Sequence, residues 1–548
     1  MKRIIALIIL FVLLYAFQNV GVAENFPVKE KFLILVNEDK DKDAYADFVY
    51  FKSARHDVEI FSMNDIGINS KLSHEKKSEK IREDLRVRNG NKEKNIPGKD
   101  PIKFLMLDDD IYPGLIDKRA IYSDYFYGFL WVDYFGDYAT DTTLLYPEKP
   151  DIIVSRMRKE DLKYWKTDQS RLKKLDKVKS MIAFPVVTYY QKGRYISGCA
   201  WTISHNDCSY FGDYMKKIFQ NNKIDITTLY ETRYSTIHTD ALAQIEPIKK
   251  PDLPLNRESF EKTLKDSNIV FLGYTYERAF FEDDELWGSH YPDDFVTAIW
   301  KDDNKNRMAD KDSEIELEWI KKHSEMTDDN VKRFFFVPNG GDIVEEVSFP
   351  ISIRQKFEFD AAPNHYSGMF PTEYVQGTDP EKSNVSTTWH VILKEIVNGK
   401  TFAESVLLGW RSYYFALKEE DLDCQQGLSL KYSCFGSPDE TILDLLPEPY
   451  LKIEDNQQIN LRNTRIEVAN LGEKPLNYKI VNWSKNIEVS NSFNNIGLQP
   501  NEKGAIDFKV KYTFPNIYAT RPQKKTAWIV VETNDRFWPK KKIEFFWY

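Results

Sequence analysis

The chain has 548 residues, 42% hydrophobic and 29% charged, which excludes a disordered chain and exceeds what one hydrophobic core usually serves. Aromatic residues reach 14%, most of them Phe and Tyr, so the interior is expected to be ring-rich. The net charge of −9 is spread along the chain, which argues against a duplex nucleic-acid binder, since that needs a clustered basic face.

Lys2 and Arg3, the apolar run Ile4 to Phe17, and Val22-Ala23 before Glu24-Asn25 have the layout of a secretory signal peptide cleaved after Ala23. The alternative is an uncleaved anchor, but the run is shorter than the roughly 20 residues of a spanning helix. No second membrane segment is found, and no Cys follows the run to carry a lipid. The expectation is a secreted, periplasmic or cell-surface protein without a transmembrane span after cleavage. In such a compartment the four cysteines, Cys199 with Cys208 and Cys424 with Cys434, read first as two disulfides closing short loops.

Residues 28–180 alternate strand and helix. Phe32 to Val36 is a strand apolar on both faces, Asp43 to Ala54 has helical spacing, and Asp57 to Phe61 is a second strand. Ser78 to Val87 is a helix, Ile102 to Leu107 a strand ending in Asp108-Asp109-Asp110, and Arg86 to Asp100 a polar loop. Pro150 to Val154 is a further strand, and Arg158 to Lys179 has the pattern of an amphipathic helix. Strands separated by helices predict a parallel sheet. A second α/β section, residues 181–446, carries strands at Met181 to Thr188, Ile269 to Leu272, Phe295 to Trp300 and Phe334 to Val337. Its helices are Tyr210 to Phe219, Phe260 to Lys265, Thr388 to Val397 and Phe402 to Leu417. Leu446-Pro447-Glu448-Pro449 is a linker, and residues 447–548 hold only short alternating strands between turns such as Gly472 to Pro475. About seven strands in about 100 residues predict a β-sandwich.

The order of these segments resembles the gingipain-type cysteine peptidase family over roughly residues 30 to 446. The first βαβ unit carries the resemblance, with Phe104 to Asp109, where the family has a strand ending in Gly-Asp. So do Ser123-Asp124-Tyr125-Phe126-Tyr127 and Pro150 to Arg156, similar to the family's Ser-Asp-x-x-Tyr and Pro-Asp-x-x-x-Gly-Arg. Asn398 to Ser405 resembles its late helix and Phe435-Gly436-Ser437-Pro438 its terminal Gly-Asp-Pro. The resemblance implies a caspase-like body of two α/β subdomains with largely parallel sheets. The tail around Asn470 to Leu476 looks like an Ig-like sandwich, implying spacing or surface attachment.

Such a peptidase needs a thiolate and a His. The family's His lies in Gly-His-Gly just after a strand, and its Cys follows the next strand. Here Ile269 to Leu272 leads into Gly273-Tyr274-Thr275, so Tyr274 stands at the His position, and a phenol near pKa 10 is no proton shuttle near neutrality. The next strand by this reading, Phe295 to Trp300, runs into Lys301-Asp302-Asp303, and no cysteine occurs between Cys208 and Cys424. His290 in Gly288-Ser289-His290 is a substitute for the lost His or a surface-loop residue, while His238 and His390 read as structural or exposed. Cys199, His205 and Cys208 share one segment with three readings: a disulfide beside a bystander His, a nucleophile, or a metal cluster without an evident fourth ligand. Asp108 to Asp110, and Asp133, Asp137 and Asp141, are either calcium ligands, which the resemblance supports, or solvated loop acids. No other cofactor is implied.

Three functions follow. The first is a non-catalytic gingipain-like protein that binds a peptide or protein ligand in its cleft. The second is an active cysteine endopeptidase with a relocated dyad drawn from His290, Cys199 and Cys208. The third is a structural or adhesive surface protein with the sandwich as its working module.

Overall fold

Five consecutive apolar residues, Phe32 to Val36, leave no polar face for solvent, so their strand must be covered on both sides. In the computed structural model they are buried in β1 (Glu30–Val36). The structure describes residues 28–69, 71–91, 96–108, 110–117, 121–131, 149–157, 159, 162, 175–184, 188–191, 194–197, 208–230, 251–275, 294–300, 315–322, 333–339, 365–368, 384–419, 432–434, 436–461, 464–490, 494–511 and 524–548. They form two compact units, one within Glu30–Pro447 and one within Glu448–Tyr548 that includes Val28 and Lys29.

The α/β unit holds two parallel sheets. In the first, β1 pairs with β2 (His56–Ser62) on one side and β3 (Phe104–Asp108) on the other, and β4 (Ile153–Met157) completes the order β2-β1-β3-β4. A 3-10 turn Asp39–Tyr45 runs into α1 (Ala46–Lys52), so the helix expected from Asp43 opens as a tighter turn. α2 (His74–Asn89) starts on Ser73, whose hydroxyl accepts from the Lys76 N–H, and it stops at Gly90, whose φ of 67° suits glycine. Tyr125, Phe126, Tyr127 and Phe129 are at most 3% exposed, so the aromatic segment is core.

The second sheet contains β5 (Lys179–Phe184), β6 (Asp225–Tyr230), β7 (Leu253–Pro254) and β8 (Ile269–Thr275). A separate antiparallel hairpin, β9 (Asp294–Trp300) with β10 (Ile315–Lys322), comes next in the chain. β11 (Arg333–Asn339), β12 (His365–Gly368) and β13 (Tyr432–Cys434) then finish the order β7-β6-β5-β8-β11-β12-β13, antiparallel only at the last pair. The helices are α3 (Cys208–Asn221), α4 (Arg257–Lys265), α5 (Asn384–Val397) and α6 (Phe402–Glu419). α4 opens with a reciprocal cap between Asn256 and Ser259. The helix expected over Arg158 to Lys179 lies largely outside the described residues, and Lys179 already belongs to β5.

One correction bears on the site. Phe295 to Trp300 is not the strand beside β8, because among the described residues it pairs only with β10. The neighbour of β8 is β11, in register Ile269↔Arg333 through Thr275↔Asn339. An apolar run fixes that a segment is a strand but not which strand it pairs with, and Phe334 to Phe336 is as apolar as Phe295 to Trp300.

Among the described residues the all-β unit has nine strands in two sheets, two more than expected. β14 (Leu451–Lys452), β15 (Gln457–Gln458), β16 (Arg465–Asn470), β17 (Leu476–Trp483), β18 (Ile487–Val489), β19 (Ile496–Leu498), β20 (Lys503–Val510), β21 (Lys525–Thr533) and β22 (Lys540–Trp547) pair as β14-β16-β20-β18 and β15-β22-β21-β17-β19. Alternate residues such as Leu476, Tyr478 and Ile480 point into one core with Ile529, Phe545 and Trp538. Asn470 pins the turn that follows β16. Its amide donates to the Lys474 and Leu498 carbonyls at 2.8 and 3.1 Å and accepts from the Gly472 N–H at 2.9 Å.

Candidate functional site

Ligands of an open parallel sheet lie outside the carboxyl ends of its strands, where the strand order reverses. In the second sheet the chain passes from β5 to β6 and β7 on one side, then returns to β8 on the other. The reversal point is therefore between β5 and β8. Among the described residues β8 pairs with β5 over Ile269 to Leu272, and Gly273, Tyr274 and Thr275 continue against β11, opposite Val337, Pro338 and Asn339. Tyr274 thus belongs to the strand itself and not to a loop after it, because the strand runs on to Thr275. The strand beside it ends in Pro338-Asn339 and then Gly340-Gly341, with no cysteine. Cys208 is the first residue of α3, the helix that leads into β6, and so lies at the same carboxyl edge as Tyr274.

The first sheet reverses between β1 and β3, and three carboxylates gather at the carboxyl ends of these strands. Lys159, just past β4, sets its ammonium 3.2 Å from Asp41 Oδ1, 3.2 Å from Asp108 Oδ2 and 3.3 Å from Asp110 Oδ2. Asp108 is fully buried at the end of β3. Burial would lower the Lys159 pKa, but attraction by Asp108 and the hydrogen bonds its ammonium donates to Asp108, Asp41 and Asp110 outweigh it, and the net shift is upward. The ammonium holds these acids together. Among the described residues no group of three or more His, Cys, Asp or Glu is arranged to hold a metal ion.

Beneath this edge, two of the segments singled out in the sequence meet. Arg156 donates from Nε and Nη2 to both carboxylate oxygens of Asp124 at 2.5 Å, and from Nη1 to the Ile111 carbonyl at 2.5 Å. The pair is 2% and 0% exposed. The late segment joins them. Ser155 Oγ donates to the Gly436 carbonyl at 2.7 Å, and Gly436 N–H donates to the Arg156 carbonyl at 2.8 Å. Three residues on, Asp439 receives Lys52 Nζ at 2.6 and 2.8 Å, contacts His56 Nε2 at 2.9 Å, and accepts from the Ser437 hydroxyl. Burial works to raise the Asp439 pKa, yet Lys52 and His56 pull it well below the usual carboxylate range. Arg55 Nη1 adds a 3.0 Å contact to Asp444. These contacts tie residues 436–444 to the first sheet, at Ser155 and Arg156 toward its carboxyl ends and at Lys52 and His56 on its amino edge.

The remaining sequence candidates divide by position. Cys199, His205, His238, His290, Cys424, Asp109, Asp133, Asp137 and Asp141 lie outside the described residues. Cys434 closes β13, opposite Tyr366. The disulfides and the second acidic cluster are therefore carried no further. His390 is exposed on α5 and bonded through Nδ1 to the Tyr214 hydroxyl, with its pKa lowered by burial and by Lys394. Lys159 and the Lys52–His56–Asp439 cluster escaped sequence reasoning. Their members lie up to 387 residues apart and match no local spacing.

No protein-family model and no curated protein sequence matches the chain. Among solved structures it is similar to the Arg-specific cysteine proteinase gingipain R (RGPB), at 12% identity over 96% of this chain and 100% of that one, with a TM-score of 0.43. It is similar to the complex of Porphyromonas gingivalis RgpB pro- and mature domains, at 11% identity over 94% and 100%, with a TM-score of 0.43. It is also similar to a structure described as a protease, at 9% identity over 95% and 98%, with a TM-score of 0.45. Gingipain structures are thus among the structures this chain is similar to, and the likeness is one of fold alone.

Proposed function

We propose that this chain is an exported gingipain-like protein that has lost its cysteine–histidine dyad and binds a peptide segment at the carboxyl edge of its second sheet. The observation that carries the reading is the pair of strand ends at the reversal point. Tyr274 stands where the dyad's His is expected, and β11 beside it ends in Pro338-Asn339. No cysteine occurs between Cys208 and Cys424. Strand ends at the switch point of a parallel sheet suit a ligand, and an extended peptide laid there would add main-chain hydrogen bonds. Export rests on the signal-type N-terminus, and among the described residues no helix is long and apolar enough to cross a membrane. The test is incubation of the purified chain with casein and a peptide library, read by mass spectrometry. No cleavage is expected, and turnover that co-purifies with the chain would refute the reading.

One observation favours a second reading. A helix N-terminus lowers a thiol's pKa, and Cys208 occupies the first position of α3 at this same edge. Alkylation of the unreduced chain with iodoacetamide separates the two. A fast-reacting thiol at Cys208, with peptide turnover lost in Cys208→Ala, would establish an active peptidase with a relocated nucleophile.

A further inference from the structure

The opposite edge of the second sheet carries a cavity of about 720 Å³ among the starts of β5 and β6 and the ends of α3 and α4. That size falls in the range of small-ligand sites. Four lysines line it, Lys179, Lys216, Lys223 and Lys262. Lys216 is neutralised by Asp252 at 2.7 and 2.8 Å, and Asp252 is further held by the N–H and hydroxyl of Thr228. The other three ammonium groups make no ion pair or hydrogen bond among the described residues. Asp225 and Asp266 also line the cavity, but both are exposed and neither is paired with them.

Helix ends alone do not account for these lysines. The carbonyl ends of α3 and α4 favour nearby cations, yet Lys223 and Lys262 donate to none of those carbonyls among the described residues. Lys223 also has φ 61°, a left-handed position where glycine or asparagine normally ends a helix. Ser180 is among the lining residues and is 1% exposed, and its hydroxyl, closed to solvent, has no hydrogen-bond partner. A buried hydroxyl left in that state is costly, by about 1–3 kcal/mol. Three ammonium groups without a partner among the described residues, those of Lys223 and Lys262 on exposed side chains, surround one cavity and have the chemistry of an oxyanion site.

We propose that this cavity binds a small polyanion carrying phosphate or clustered carboxylate groups. It is separate from the cleft at the carboxyl edge and does not depend on what that cleft does. The test is calorimetric titration of the full chain with pyrophosphate and, in a second arm, citrate, at constant ionic strength and without divalent cations. Saturable binding of one or both is expected, with Kd near or below about 1 mM. Pyrophosphate alone would assign a phosphate ligand, and citrate alone a polycarboxylate. The triple substitution Lys179→Gln, Lys223→Gln, Lys262→Gln should weaken binding by about 10-fold or more, since charge-assisted hydrogen bonds are lost. Tyr274→Ala should leave it unchanged. Failure of both anions to saturate, or an unchanged affinity in the triple variant, overturns the proposal.

Discussion

Lys541, on β22, is 2% exposed, with its ammonium 3.3 Å from the Ile453 carbonyl, 3.4 Å from Asp455 Oδ2 and over the Trp538 ring. Asp455 is shared with Lys29 at 3.8 Å, and Lys452 lies nearby, so one carboxylate serves several cations. Burial, only partly offset by Asp455 and reinforced by Lys29 and Lys452, pulls the Lys541 pKa from its ordinary 10.5 to about 8. The unfolded chain then binds more protons than the folded one between these two values, so stability rises with pH across that window. Below pH 8 the all-β unit carries the full cost, about 3 kcal/mol. Lys541→Met removes the charge and keeps the volume. The loss of the bond to Ile453 offsets part of the gain, leaving a net stabilisation of about 1–2 kcal/mol near neutrality. Urea unfolding followed by hydrogen exchange in peptides from β21 and β22 reads this unit separately from the α/β unit. The variant's midpoint should lie about 1 M higher near pH 7.5, and the gap should close by about pH 10. A gap that does not change with pH, or a variant less stable than the wild type at neutrality, refutes the reasoning.

Three further outcomes follow from the buried polar frame and one tight turn. Asp124→Leu strands the Arg156 guanidinium in the core and should cost about 3–5 kcal/mol, while adding Arg156→Met should restore most of it, as read from urea midpoints of the two variants. Asp439→Asn removes the charge shared by Lys52 and His56. In the wild type the folded pKa of Asp439 is depressed, so its contribution holds above the ordinary carboxylate value of 3.8 and is lost as pH falls below it, and that acid-side loss should be absent in the variant. At neutral pH the same variant should release residues 436–445 to limited proteolysis. Gly472→Ala would set a Cβ 2.1 Å from the Glu448 carbonyl oxygen, a backbone atom that cannot move aside, and should destabilise the all-β unit by about 2 kcal/mol or more in chemical denaturation.

Much of the fold was legible in the residues because periodicity is a local property. The apolar run at Phe32 to Val36 and the alternation at Leu476, Tyr478 and Ile480 each announce a strand and how many of its faces are covered. Strand partners were less legible. Phe295 to Trp300 and Phe334 to Phe336 look alike in sequence, and only the three-dimensional register gives β8 the second of them. The ionic frame shows the same limit from another side. The segments holding Asp124, Arg156 and Gly436 stood out as motifs, but their convergence joins residues 32 and 281 apart. The lysines of the amino-edge cavity gave no local signal, since each reads alone as a solvated surface charge.

The central claim is that the strand end carrying Tyr274 faces a peptide-binding cleft without its own hydrolytic chemistry. Its most direct measurement is site-specific photo-crosslinking, with benzoylphenylalanine at position 274 and, as a control, at the exposed Val87 on α2. With a biotinylated peptide library, saturable crosslinking of intact peptides at position 274 and none at position 87 is the expected result. Equal labelling at both positions, or crosslinked peptides recovered only as cleaved fragments, would contradict it.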